Sequence, residues 1–112
     1  MEQIHQEHAK VFRALCDPKR LAILELLREG EQCACMLMDR LGMGQSAVSY
    51  HMKILCESGI VASRQEGKWT YYWLDSSGSR AAAELLVRLT TPQAEVRTRS
   101  EERRVGKECR SR

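Results

Sequence analysis

Gln45-Ser46-Ala47-Val48-Ser49-Tyr50-His51-Met52-Lys53-Ile54-Leu55 is the stretch on which the fold turns. Val48, Met52 and Leu55 recur at i, i+4 and i+7, the spacing that lines one face of an α-helix. Gln45, Ser46, Ser49, Tyr50 and Lys53 fall on the opposite face. Gly42-Met43-Gly44 breaks the chain just before this helix, and a shorter helical stretch, about Cys35 to Leu41, precedes the break. Two short helices around a three-residue glycine turn make a helix-turn-helix pattern.

On the C-terminal side, Gly59 ends the 45–58 helix and the character of the chain changes. Ile60-Val61-Ala62-Ser63-Arg64 and Trp69-Thr70-Tyr71-Tyr72-Trp73-Leu74 are β-branched and aromatic, and Gln65-Glu66-Gly67-Lys68 between them is a polar turn. This predicts a β-hairpin, a wing beside the helix-turn-helix. A last helix is predicted at about Ser79–Leu89, with Ala82, Leu85, Leu86 and Leu89 on one side and Pro92 as its stop. That is more apolar surface than the terminal helix of a small monomer hides easily, so a homodimer is expected. On the N-terminal side, Gln3–Leu15 reads as an amphipathic helix. Asp17-Pro18, an N-cap followed by proline at the first helical position, opens another over Pro18–Arg28. Leu21, Ile23, Leu24 and Leu27 are its expected core residues. The fold class is therefore mainly α with a small β-hairpin.

The chain has 112 residues, enough for one domain and a tail. Its net charge of +3 is unevenly placed. Residues 97–112 hold seven Lys/Arg against three Glu, a surplus of +4, whereas residues 1–96 hold eleven against twelve, a balance of −1. A nucleic-acid reading must rest on local arrangement and not on overall charge. The reading divides the chain into a domain over 1–96 and a disordered tail over 97–112. The tail has no periodicity and reads as non-native read-through, with a basic DNA-contacting arm as the competing reading. No apolar run reaches the length of a membrane span, and the polar, acid-bearing start does not read as a signal peptide. A cytoplasmic protein with no membrane association is expected. In that compartment five cysteines, an odd number, are expected to be thiols, ligands or core filler and not a disulfide framework. No nucleophile–base pair or phosphate-cradling glycine loop points to an enzyme.

Three stretches together resemble the ArsR/SmtB-type metalloregulatory repressors. They are Ala14-Leu15-Cys16-Asp17-Pro18-Lys19-Arg20-Leu21-Ala22-Ile23-Leu24, the 45–55 helix, and Glu66-Gly67-Lys68-Trp69-Thr70-Tyr71-Tyr72, which is similar to the family's wing. The resemblance spans about residues 8–90. It implies a homodimeric winged helix-turn-helix repressor that sits on operator DNA until a metal or metalloid binds. A two-fold dimer in turn predicts an inverted-repeat operator. The side chains agree on the DNA side: Gln45 can make two hydrogen bonds to a base edge, and Ser46, Ser49, Tyr50 and Lys53 share its face. Arg64 and Lys68 are expected at the wing tip. His51 either contacts phosphate or packs against the wing. Where the family has serine before this glutamine, Gly44 stands, a weaker N-cap.

Glu31-Gln32-Cys33-Ala34-Cys35-Met36-Leu37-Met38-Asp39 resembles the cysteine box of the arsenite-sensing members. The resemblance implies that Cys33 and Cys35 bind trivalent arsenic as an inducer, with no permanently bound cofactor. Thiolates select soft ions, so a sensor of another soft ion (antimony, cadmium or lead) is one alternative, and a thiol redox switch is another. Residues i and i+2 of a regular helix point about 200° apart, so the pair can clamp one ion only where the first helical turn is frayed. The third cysteine of the box is replaced by Met38, whose thioether is a poor substitute. Cys16 and Cys56 are the candidates for a third ligand, Cys56 with core filler as its other reading.

Overall fold

The computed structural model describes residues 2–93. Predicted features beyond residue 93, the 97–112 tail and Cys109 among them, lie outside the described residues. Five helices and three short strands follow in the order α1 (Glu2–Ala14), α2 (Pro18–Leu27), β1 (Gln32–Cys33), α3 (Ala34–Leu41), α4 (Gln45–Glu57), β2 (Val61–Glu66), β3 (Trp69–Leu74) and α5 (Ser76–Thr90). The architecture is a winged helix-turn-helix, mostly helical with one small antiparallel sheet.

The sheet has three strands where the sequence predicts a hairpin. β3 lies in the middle, paired with β2 on one side and with β1 on the other. The β1 register sets Gln32 opposite Tyr72 and Cys33 opposite Tyr71. Directly opposed residues share a face of the sheet and the faces alternate along each strand. Val61, Tyr72 and Leu74 face the core. Cys33, Tyr71, Arg64 and Trp73 face outward, and the Arg64 guanidinium lies over both the Tyr71 and Trp73 rings.

Local signals explain most boundaries. Asp17 caps α2 by accepting from the backbone N–H of Lys19 at 2.7 Å and of Arg20 at 3.4 Å, with Pro18 in the first turn. The Lys19 hydrogen bond holds the Asp17 carboxyl below its ordinary value. Gly42, at φ +65°, ends α3 in the left-handed region that glycine enters without strain. Asp75 caps α5, which starts at Ser76, ahead of the predicted Ser79. Gly78 lies in its first turn against the backbone after α4, where a Cβ would collide with the Gly59 carbonyl oxygen.

The core is apolar side chains from every layer: Ala14, Ile23, Leu27, Leu37, Val48, Met52, Leu55 and Val61 are buried almost completely. One predicted core residue of α2 is not inside. Leu21 is 50% exposed, and its neighbour Arg20 is buried instead. Arg20 donates from Nε to the Ala14 carbonyl at 3.2 Å and from Nη2 to the Arg13 carbonyl at 2.9 Å. Carbonyls in the last turn of a helix have no partner within it, and the guanidinium supplies one. The remaining nitrogen, Nη1, reaches His51 Nδ1 on α4 at 3.0 Å. One buried side chain thus ties α1, α2 and α4 together.

Candidate functional site

α4 presents two faces. Val48, Met52, Ile54 and Leu55 enter the core, while Gln45, Ser46, Ser49, Tyr50 and Lys53 are exposed. Among the described residues none of these five makes a side-chain hydrogen bond or ion pair within the chain. The predicted role of His51 is corrected. It is 7% exposed, Nδ1 meets the Arg20 guanidinium of α2, and the ring lies edge-on to Tyr50. A guanidinium only donates, so Nδ1 accepts and the ring is neutral, with its proton on Nε2. Burial holds the His51 pKa below its ordinary value, and Asp17 opposes that while Arg20 and Lys19 reinforce it. The periodicity carried the signal: His51 follows Val48 by three and precedes Leu55 by four.

The wing turns at Gly67, φ +64°, and Lys68 stands at its exposed tip. Arg64 does not, which corrects its predicted placement. It sits within β2, with Nη1 2.8 Å from a Glu31 carboxylate oxygen and Nε 3.0 Å from one of Glu66. Its guanidinium lies 4.9 Å from the Tyr71 ring centre and 5.7 Å from that of Trp73. Two carboxylates compete with any phosphate for this one guanidinium.

Cys33 is the last residue of β1 and the N-cap of α3, with extended backbone at φ −84°, ψ 162°. Cys35 lies in the first turn of α3. Because Cys33 is outside the helix, the 200° divergence of an i, i+2 pair does not arise. The two sulfurs meet with no fraying of α3, and they are joined as a disulfide across a Cα–Cα distance of 5.4 Å. The expectation that all the cysteines are unpaired is revised for these two. Cys35 lines a cleft of about 310 Å³ shared with Met38, with Gln45 and Ser49 of α4, and with Lys68 and Trp69 of the wing.

Residues 17–63, the helix-turn-helix and the start of β2, match the family model for bacterial regulatory proteins of the arsR family. The chain is 36% identical over 74 residues to the arsenical resistance operon repressor of Bacillus subtilis, a match covering 65% of this chain and 70% of that one. The chain belongs to the arsR family. It is also 41% identical over 68 residues to a cadmium resistance transcriptional regulatory protein homologue of Staphylococcus aureus, covering 60% of this chain and 56% of that one. Among solved structures it is similar to a homodimeric winged helix-turn-helix DNA-binding domain from Mycobacterium bovis, a possible ArsR-family regulator. That likeness has a TM-score of 0.64 at 29% identity and covers 79% of this chain and 82% of that one. The family and the relatives are DNA-binding transcriptional regulators, not enzymes. Among the described residues no helix is long and apolar enough to cross a membrane.

In this arsR-family chain Cys33 and Cys35, once reduced to thiolates, would offer a soft ion two adjacent sulfurs, one exposed and one half-buried. The predicted third ligands are not brought to them. Cys16 is exposed in the α1–α2 link, and Cys56 packs on the core side of the sheet beside Ser63, burial pushing its thiol pKa up. Cys33 faces the other side. Among the described residues no three His, Cys, Asp or Glu side chains converge as a metal site. Sequence reasoning missed Arg20, Glu31 and β1. A strand of two residues has no readable period, and the Glu31–Arg64 pair joins residues that only the folded sheet brings together.

Proposed function

We propose that this chain is a homodimeric, cytoplasmic repressor that binds an inverted-repeat operator and releases it when trivalent arsenic or antimony binds Cys33 and Cys35. The observation that carries the reading is the meeting of the two sulfurs at the β1–α3 junction, beside the cleft that Cys35 shares with α4 and the wing tip. The DNA face is Gln45, Ser46, Ser49, Tyr50 and Lys53, supplemented by Lys68. The sequence similarity to an arsenical resistance operon repressor supports the inducer. With two protein sulfurs, the third position on a trivalent ion falls to hydroxide or to a carbon substituent. The dimer reading draws on the homodimeric structural relative and on the exposed Leu86, Val87 and Leu89 of α5, with Ile4 and Leu15 on and just after α1.

The test is fluorescence anisotropy of a labelled inverted-repeat duplex titrated with reduced protein. Binding must weaken steeply as salt rises, because Lys53, Lys68 and their dimer mates displace counterions. Arsenite, antimonite, cadmium and lead are then added separately. Release by arsenite and antimonite ahead of cadmium and lead supports the reading; release by cadmium or lead alone assigns the pair to another inducer. A second reading, a dithiol switch, is favoured by the Cys33–Cys35 disulfide itself. Mass spectrometry after mild oxidation, with operator binding of the oxidised form, separates it from ion sensing.

A further inference from the structure

Cys33 has two structural neighbourhoods. As an N-cap it belongs to α3, which packs against α4. As a strand residue it is paired with Tyr71 and so belongs to the wing sheet. Glu31, two residues earlier, reaches past β3 to Arg64 on β2, and the pair lies over aromatic rings supplied by β3. The segment before the thiols is thereby fastened to all of the wing, by backbone pairing to β3 and by a 2.8 Å ion pair to β2. Both partners of that ion pair are well exposed, 42% and 38%, so its contribution to stability is small. Its contribution to phosphate binding is no larger, since Glu31 and Glu66 together outweigh the cation.

We propose that the Glu31–Arg64 pair, laid across Tyr71 and Trp73, is the positioning link through which a change at Cys33 and Cys35 reaches the wing. The proposal rests on Cys33 and Cys35 being the sensing pair. Drawing both sulfurs onto one ion resets the backbone at Cys33, where strand gives way to helix. β1 is only two residues long, so it cannot absorb that change internally. Glu31 shifts with it, Arg64 is drawn along, and the wing tip carrying Lys68 is re-aimed. Coupling between two sites needs an element whose arrangement both sites bias, and the wing with its β1 extension is such an element.

The chain supplies its own reporter. Its two tryptophans, Trp69 and Trp73, both lie on β3. Tryptophan fluorescence of the reduced protein is recorded as arsenite is added, for the unaltered chain, Glu31→Gln, Arg64→Gln and the double variant. Thiol titration measures arsenite occupancy in parallel. Each variant should bind arsenite within about threefold of the parent, lose at least four-fifths of the fluorescence change, and keep at least a tenth of its operator affinity with arsenite present where the parent keeps a hundredth or less. The double variant should be no worse than either single one, because both break one link. Arg64→Lys, which keeps the charge, should restore part of the response. A full fluorescence change in Glu31→Gln, or additive losses in the double variant, overturns the proposal. Should the parent fail to bind arsenite, the inducer reading falls while the link is still tested. The same fluorescence is then followed as dithiothreitol opens the Cys33–Cys35 disulfide. A change present in the parent and missing in Glu31→Gln supports the link, and equal responses, or none in either protein, overturn it.

Discussion

The outward face of α4 and the outward face of the wing sheet both carry polar and charged side chains, yet they differ in what those side chains touch. On α4, Gln45, Ser46, Ser49, Tyr50 and Lys53 make no side-chain hydrogen bond or ion pair among the described residues, and Tyr50 only stacks edge-on with His51. On the wing, Arg64 is taken by Glu31, Glu66 and two rings, while Lys68 at the tip makes no hydrogen bond or ion pair among the described residues. Being polar and exposed therefore does not make a residue a DNA contact. In the proposed reading the paired Arg64 serves the fold or its coupling, and the unpaired Lys53 and Lys68 are left for the phosphate backbone.

The comparison can be broken from below, by removing what holds the α4 face in place. Arg20→Met leaves the Ala14 carbonyl and His51 Nδ1 unpartnered inside the protein and the Arg13 carbonyl with only the Cys16 N–H, and should cost about 3 kcal/mol in urea unfolding. A loss under about 0.5 kcal/mol would show that Arg20 does not tie the three helices together. Gln45→Ala should weaken operator binding by about 1–3 kcal/mol, roughly 5- to 150-fold, with thermal stability unchanged, as expected of a side chain that reads a base edge. Lys68→Ala should weaken binding to every sequence alike and reduce the slope of log affinity against log salt by about 1 for each wing engaged.

A pH series sharpens the same contrast. His51 has its pKa lowered in the folded state, so the unfolded chain takes up a proton first as the pH falls through 6.5. Its contribution to stability is complete above that value and declines below it. Urea midpoints should therefore drop on acidification below 6.5, and His51→Gln should flatten that part of the profile. The caps at Asp17 and Asp75, both with lowered pKa, act in a separate window, lost only as the pH falls below 3.8. The smallest effect belongs to the committed cation. Arg64→Gln should leave operator affinity without inducer within about twofold, against the clear loss in Lys68→Ala. A larger loss in Arg64→Gln than in Lys68→Ala would dissolve the distinction between the two faces.

How far the molecule is legible in its sequence follows from which interactions are local. The recognition helix, its glycine break and the Asp17 cap were readable because period and capping depend on neighbours a few positions apart. The wing strands were readable from their aromatic and β-branched composition. Arg20 was not, because an arginine beside Leu21 reads as solvent-facing until the helix-end carbonyls of α1 are placed around it. Arg64 was misplaced for the same reason, since the pairing of Glu31 with β2 exists only in the folded sheet. The thiol pair was found by its pattern, but the strand that makes Cys33 part of the wing was too short to show a period.

Soft-ion sensing at Cys33 and Cys35, coupled to loss of DNA binding, is the proposed role of this chain. It is tested most directly by the equilibrium affinity of the reduced chain for an inverted-repeat operator, with and without saturating arsenite, in the parent and in the Cys33→Ser/Cys35→Ser variant. A fall of about a hundredfold or more, a coupling of about 3 kcal/mol, is expected in the parent, and none in the variant. Equal affinity with and without arsenite in the parent, or an undiminished fall in the variant, would contradict it.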